Sequence, residues 1–126
     1  MPRAPFRSAD VLPYLIQQES HGQAGVQGPV TKWGRAQGEA QVLPRTGAAM
    51  AKKIGVPWRP DLMMGTSPEA AAYQRAIGGA YLDEALDATG NVTDALKYYH
   101  GGPSRSMWGP KTNAYAANVL RRMGVE

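Results

Sequence analysis

Glu19 is the residue whose type and setting most invite chemistry. It follows Leu15-Ile16-Gln17-Gln18 and precedes Ser20-His21-Gly22-Gln23. Leu12, Leu15, Ile16 and Glu19 are spaced i, i+3, i+4, i+7, so on a helix they share one face. Three of the four favour the core, which aims the carboxyl inward. A carboxyl partly removed from water loses hydration of its charged form, which raises its pKa and lets it hold a proton near neutral pH. A general acid needs that property. Gly22 then stops the helix and opens a turn where a substrate could enter. The plainer alternative is a solvated or capping glutamate.

The elements that must position this acid read as helices. The first spans about Val11 to Ser20, with Asp10 as its N-cap and Pro13 in its first turn. A long irregular segment follows, His21 to Leu43, with polar side chains at close intervals: Gln23, Gln27, Thr31, Gln37, Glu39 and Gln41. Segments of that length inside a compact domain usually carry function, and this one reads as a binding wall. Trp33 within it can stack on a sugar or anchor the loop, and the anchor is favoured.

Pro44 starts a second helix that Gly55 ends. Val56 to Gly65 reads as a proline-containing loop. Ser67-Pro68-Glu69 is a strong helix start, with a cap, a first-turn proline and an acid. This third helix runs to about Ala88 with Tyr73, Ile77, Ala80 and Tyr81 on one stripe. A fourth covers about Thr93 to Tyr99, and a fifth about Thr112 to Met123 with Ala116, Val119, Leu120 and Met123 facing inward. No alternating apolar run is long enough for a confident strand. The fold class is all-α, a single domain over residues 1–126, with residues 1–9 as a loose N-terminal arm.

Composition excludes several functions. The 126 residues suit one compact domain. With no cysteine, disulfide and thiol chemistry are absent. The net charge of +4 is spread over scattered Lys and Arg, without the basic stripe and interleaved aromatics of a nucleic-acid footprint. It suits contact with an anionic polymer or envelope surface. His21 and His100 are the only histidines, and no cluster has metal-ligand spacing, so neither metal nor cofactor is expected. Ser20 and Ser104 lack a base and orienter for nucleophilic catalysis.

Three segments line up with the acid: Gln18-Glu19-Ser20-His21-Gly22-Gln23, Gly38-Glu39-Ala40-Gln41-Val42-Leu43-Pro44-Arg45-Thr46, and Ala95-Leu96-Lys97-Tyr98-Tyr99-His100-Gly101-Gly102-Pro103. A fourth, Thr112-Asn113-Ala114-Tyr115-Ala116-Ala117-Asn118-Val119, closes the chain. In this order and spacing they resemble the soluble lytic transglycosylase domain, a lysozyme-like relative of goose-type lysozyme, over about residues 10 to 123. The resemblance implies a lysozyme-like domain of about five helices with a substrate groove. It also implies cleavage of the β-1,4 bond between N-acetylmuramic acid and N-acetylglucosamine in peptidoglycan. Glu19 would serve as acid and then base, and the product would be a 1,6-anhydromuramoyl sugar. The implied sugar contacts are Ser20, Gln41, Tyr99, His100 and Tyr115, with Tyr98 a weaker candidate.

The chain departs from the pattern at several positions. His100 stands where the family usually has Asn, and it can titrate near neutral pH. Gly28 replaces a serine. Glu39 replaces an apolar residue. It either faces Glu19 and raises its pKa or positions a water, or it is a solvated loop-tip side chain. A water-positioning Glu39 would make the protein a muramidase, since ordinary glycosidases use two carboxylates. A non-catalytic peptidoglycan-binding or virion module is the other alternative. The partner expected is the peptidoglycan strand, with no nucleic acid, no membrane insertion and a monomeric state. Met1 to Arg7 does not read as a signal peptide. Delivery to the wall by a phage, as a lysis enzyme or virion component, is therefore expected, unless the chain is cut from a longer protein.

Overall fold

The computed structural model describes residues 7–125. Among them are six α-helices and one short 3-10 turn at Arg105–Met107: α1 (Ser8–Ser20), α2 (Pro44–Lys53), α3 (Pro60–Met64), α4 (Pro68–Thr89), α5 (Val92–Gly101) and α6 (Pro110–Arg122). No strand occurs among the described residues. The irregular segment between α1 and α2 carries only single antiparallel bridges, at Gln27–Gln37, Thr31–Gly34 and Gln37–Val42. The class is all-α, with one more α-helix than expected, because Pro60–Met64 lies in the stretch read as loop. The chain forms two compact units, Glu19–Tyr81 in one and Met1–Gln18 with Leu82–Glu126 in the other. Both boundaries fall inside helices, α1 and α4.

Local chemistry explains most helix ends. The Ser67 hydroxyl accepts from the Ala70 N–H at 3.0 Å, and the Asn91 side chain accepts from the Asp94 N–H at 2.8 Å. Both satisfy N–H groups that a helix start leaves without partners. α2, α3 and α6 each carry Pro in the first turn, where no N–H is needed.

The start of α1 differs from expectation. Asp10 is not the N-cap: the helix begins at Ser8, and the Asp10 carboxylate accepts the Arg7 N–H at 2.9 Å from inside the first turn. This is one half of a capping box. Pro13 therefore lies in the helix interior, where its ring removes the usual bond to the Ala9 carbonyl. Of the expected loose arm, residues 1–6 lie outside the described residues, and Ser8 and Ala9 are helical.

The buried face of α1 is the expected one, but its cover is incomplete. Val11, Leu15, Ile16 and Ser20 are buried, whereas Leu12 and Glu19 are only half-buried. At about 100° per residue Glu19 falls between Leu15 and Ile16 around the helix, so it sits within the apolar face where that face is only partly covered.

In the unit Glu19–Tyr81 the core is built from Ala40, Val42, Met50, Ala51, Met63, Ala70 and Ile77. Gly47 lies under Trp58, where a Cβ would stand 2.6 Å from the indole. In the other unit α5 packs on α6. Leu96, Tyr99, Tyr115, Ala116 and Val119 are buried there, and Arg122 donates to the Gln18 side chain at 2.9 Å. Leu120 and Met123 are half-buried.

Candidate active site

α1 ends at Ser20, and His21 and Gly22 turn the chain with φ of 56° and 80°. Glycine takes this left-handed conformation without penalty, while histidine is among the residues that tolerate it. His21 is exposed. The Ser20 side chain is buried and points back into its unit: its hydroxyl donates to the Glu39 carbonyl at 2.7 Å. The residue after Glu19 is thereby tied to the segment that carries Glu39 and Gln41.

Glu39 is not a solvated loop-tip residue. Its side chain is 6 % exposed, and Arg75 Nη1 donates to both carboxylate oxygens at 3.1 Å. A carboxylate loses most of its hydration on burial, and the guanidinium replaces part of it. The Glu39 N–H donates to Gln74 Oε1 at 2.9 Å.

Gln74 is fully buried and saturated. Its Oε1 also accepts from the Gly25 N–H at 3.1 Å, and its Nε2 donates to the carbonyls of Leu62 at 2.8 Å and Gly65 at 2.9 Å. One amide on α4 therefore anchors two points of the irregular segment and the end of α3. Gly38 makes room for it. Its φ is +82°, and a Cβ there would stand 2.8 Å from Gln74 Cγ.

Gln41 braces its own loop. Its Nε2 donates to the carbonyls of Val26 and Gly38, both at 3.0 Å, and its φ is 52°. An amide nitrogen has two hydrogens, so only Oε1 is left for another partner. Oε1 lies beside Gly28, 2.9 Å from where a Cβ would be. The absent serine side chain at position 28 therefore corresponds to the space that the Gln41 amide occupies.

Trp33 does not anchor its loop. It is 59 % exposed on a tight turn, with Lys32 Nζ 4.6 Å from the ring centroid. The turn is closed instead by Thr31 and Gly34, whose backbones exchange hydrogen bonds.

Tyr99, His100 and Tyr115 belong to the other unit, on α5 and α6. The His100 ring stacks on Tyr115 with centroids 4.6 Å apart, and its Nδ1 is 3.2 Å from the buried Thr112 hydroxyl. Although His100 has an open edge, the covered ring loses hydration, which holds its pKa below the usual histidine range. Tyr98 is engaged elsewhere, donating to Glu84 at 3.0 Å. Desolvation first, and then that carboxylate, push its pKa up.

Gln74, Arg75 and Thr112 were missed by sequence reasoning. Gln74 had a signal: Ala70, Gln74 and Ile77 are spaced i, i+4, i+7, so a polar residue sits inside an apolar stripe. Thr112 had a similar one, three and four residues before Tyr115 and Ala116. Arg75 had none.

The chain matches the model of the Transglycosylase SLT domain over residues 7–120. It belongs to this family. It is also 35% identical over 112 residues to a protein named Transglycosylase from Enterobacteria phage PRD1, with 88% of this chain and 36% of that protein covered. The SLT domain described here thus spans about a third of that phage relative. The motif residues Glu19, Gln41, Tyr99 and Tyr115 all lie within the matched range.

Proposed function

We propose that this SLT domain is a peptidoglycan lytic transglycosylase with Glu19 as its only acid–base group. The observation that carries the reading is the setting of Glu19 at the end of α1. It is half-buried within the apolar face of that helix and directly precedes a serine locked to Glu39. Protonated Glu19 gives its proton to the glycosidic oxygen as the bond to the muramoyl C1 breaks. The muramoyl C6 hydroxyl attacks C1, and its proton passes to the Glu19 carboxylate. The acid is regenerated, a 1,6-anhydro ring closes, and no water is consumed.

The pairing of Glu39 with Arg75 favours this outcome over hydrolysis. A carboxylate with both oxygens on a guanidinium is a poor base for activating water. Gln41 Oε1 can accept from a sugar hydroxyl or an N-acetyl N–H. Tyr99, His100 and Tyr115 remain proposed sugar contacts, and Ser20 and Glu39 serve as support for the acid. The site of action is the bacterial cell wall, and the PRD1 relative favours a phage source. Among the described residues no helix is long and apolar enough to cross a membrane.

The test is digestion of purified sacculi by the wild type and by Glu19→Gln, with the fragments weighed. Anhydro-muropeptides from the wild type, and none from a folded Glu19→Gln variant, are expected. Reducing-end products would establish the muramidase instead. Binding without cleavage by the wild type would establish a non-catalytic wall-binding module.

A further inference from the structure

Every polar group of Glu39 is taken. Its carboxylate holds Arg75, its N–H holds Gln74, and its carbonyl accepts the Ser20 hydroxyl. Gln74 and Arg75 are consecutive on α4, so one turn of that helix grips one residue at two points. The third point of Glu39 reaches the last residue of α1, next to Glu19. We propose that Arg75 is a positioning residue for Glu19, acting through Glu39 and the Ser20 hydroxyl. The inference rests on the reading of Glu19 as the acid.

The choice of residue supports the role. An apolar side chain could fill the Glu39 position without the cost of removing a charge from water, and replacing buried ion pairs in that way often stabilises a protein. An apolar side chain, however, sets volume and not direction. A carboxylate gripped through both oxygens limits how its backbone can tilt, and the Glu39 carbonyl is the acceptor for Ser20. Catalytic groups must be held within about 0.5 Å of productive geometry, and an error of about 1 Å can cost on the order of a hundredfold in rate. Arg75 is 49% exposed on its side chain, so changing it disturbs packing less than changing Gln74 would.

The full chain is assayed on solubilised glycan strands, at a temperature where circular dichroism shows every variant folded. Arg75→Met is expected to lower kcat about tenfold with KM within twofold, and Arg75→Lys to recover most of the loss. The double variant Arg75→Met with Glu39→Gln is expected to fall no further than Arg75→Met alone, because both changes break one link. Unchanged kcat with a lower melting temperature would overturn the proposal by showing a purely structural pair. A raised KM at unchanged kcat would overturn it by making Arg75 a substrate contact. Should Arg75→Met not fold, Glu39→Leu removes the charge and its need for a partner together. The same fall in kcat is then expected, and wild-type kcat would overturn the proposal. Glu19→Gln is run alongside: retained cleavage there removes the assignment of the acid, whereas its loss beside unchanged kcat in Arg75→Met removes only the positioning role.

Discussion

The Ser20 hydroxyl and the Glu39 carbonyl meet at 2.7 Å across 19 positions of sequence, and both groups are buried. Ser20→Ala leaves that carbonyl without its donor where water has little access. Such a loss costs about 1–3 kcal/mol. A melting temperature within 1 °C of wild type would show that the bond contributes nothing.

Gly38 meets two demands at once, a φ of +82° and an approach within 2.8 Å of Gln74 at any added Cβ. Gln74 cannot give way, because all four of its hydrogen-bonding positions are in use. Gly38→Ala should therefore destabilise by about 2–4 kcal/mol, combining backbone strain with overpacking. Urea unfolding measures it, and a loss below about 1 kcal/mol would contradict the geometry.

Burial lowers the His100 pKa below the ordinary value of 6.5. The unfolded chain then binds a proton more readily than the folded one. The contribution of this residue is fully present above pH 6.5, falls as pH drops through that value, and levels off below the folded pKa. Stability of the wild type should thus decline on mild acidification more steeply than that of His100→Asn. Parallel slopes between pH 7 and 5 would mean that the ring is not desolvated in solution.

Trp33 stands on an exposed turn closed by other residues. Trp33→Ala should change stability by no more than about 0.5 kcal/mol, as for surface positions outside any special feature. A loss above about 2 kcal/mol in chemical unfolding would restore the loop-anchor role.

The Gln41 amide nitrogen serves two carbonyls of its own loop, so Gln41→Ala should weaken both the loop and substrate affinity. Gly28→Ser acts on the same amide from its other end. An added Cβ would stand 2.9 Å from Oε1, the part of the amide proposed to face the sugar. KM on glycan strands is expected to rise about threefold or more, and stability to fall by about 1–3 kcal/mol, because the crowded amide is held by two carbonyls. An unchanged KM would remove Oε1 from the sugar contacts.

Helix starts were legible where a local signal was strong. Pro44 at α2 and Ser67-Pro68 at α4 act within one turn, so a short window contains the whole interaction. By contrast, α5 and α6 begin at Val92 and Pro110, ahead of the Thr93 and Thr112 expected, because Asn91 and Pro110 act on the residues that follow them. α1 escaped because Asp10 caps from the third helical position as readily as from the cap itself. The short α3 escaped because a single turn carries no periodicity. The chain's membership in the SLT family was legible too, through four motifs in order. Neither the partner of Glu39 nor the burial of Gln74 could be read. Arg75 lies 36 residues from Glu39, and in the sequence it is one of 14 cations with nothing to mark it. Which buried carboxylate meets which guanidinium depends on how distant segments pack, and a charge out of water is tolerated only where that packing supplies a partner. The same holds for the incomplete cover that leaves Glu19 half-buried within the apolar face of α1. Spacing sets which residues share a face, but only the surrounding chain decides how far that face is covered.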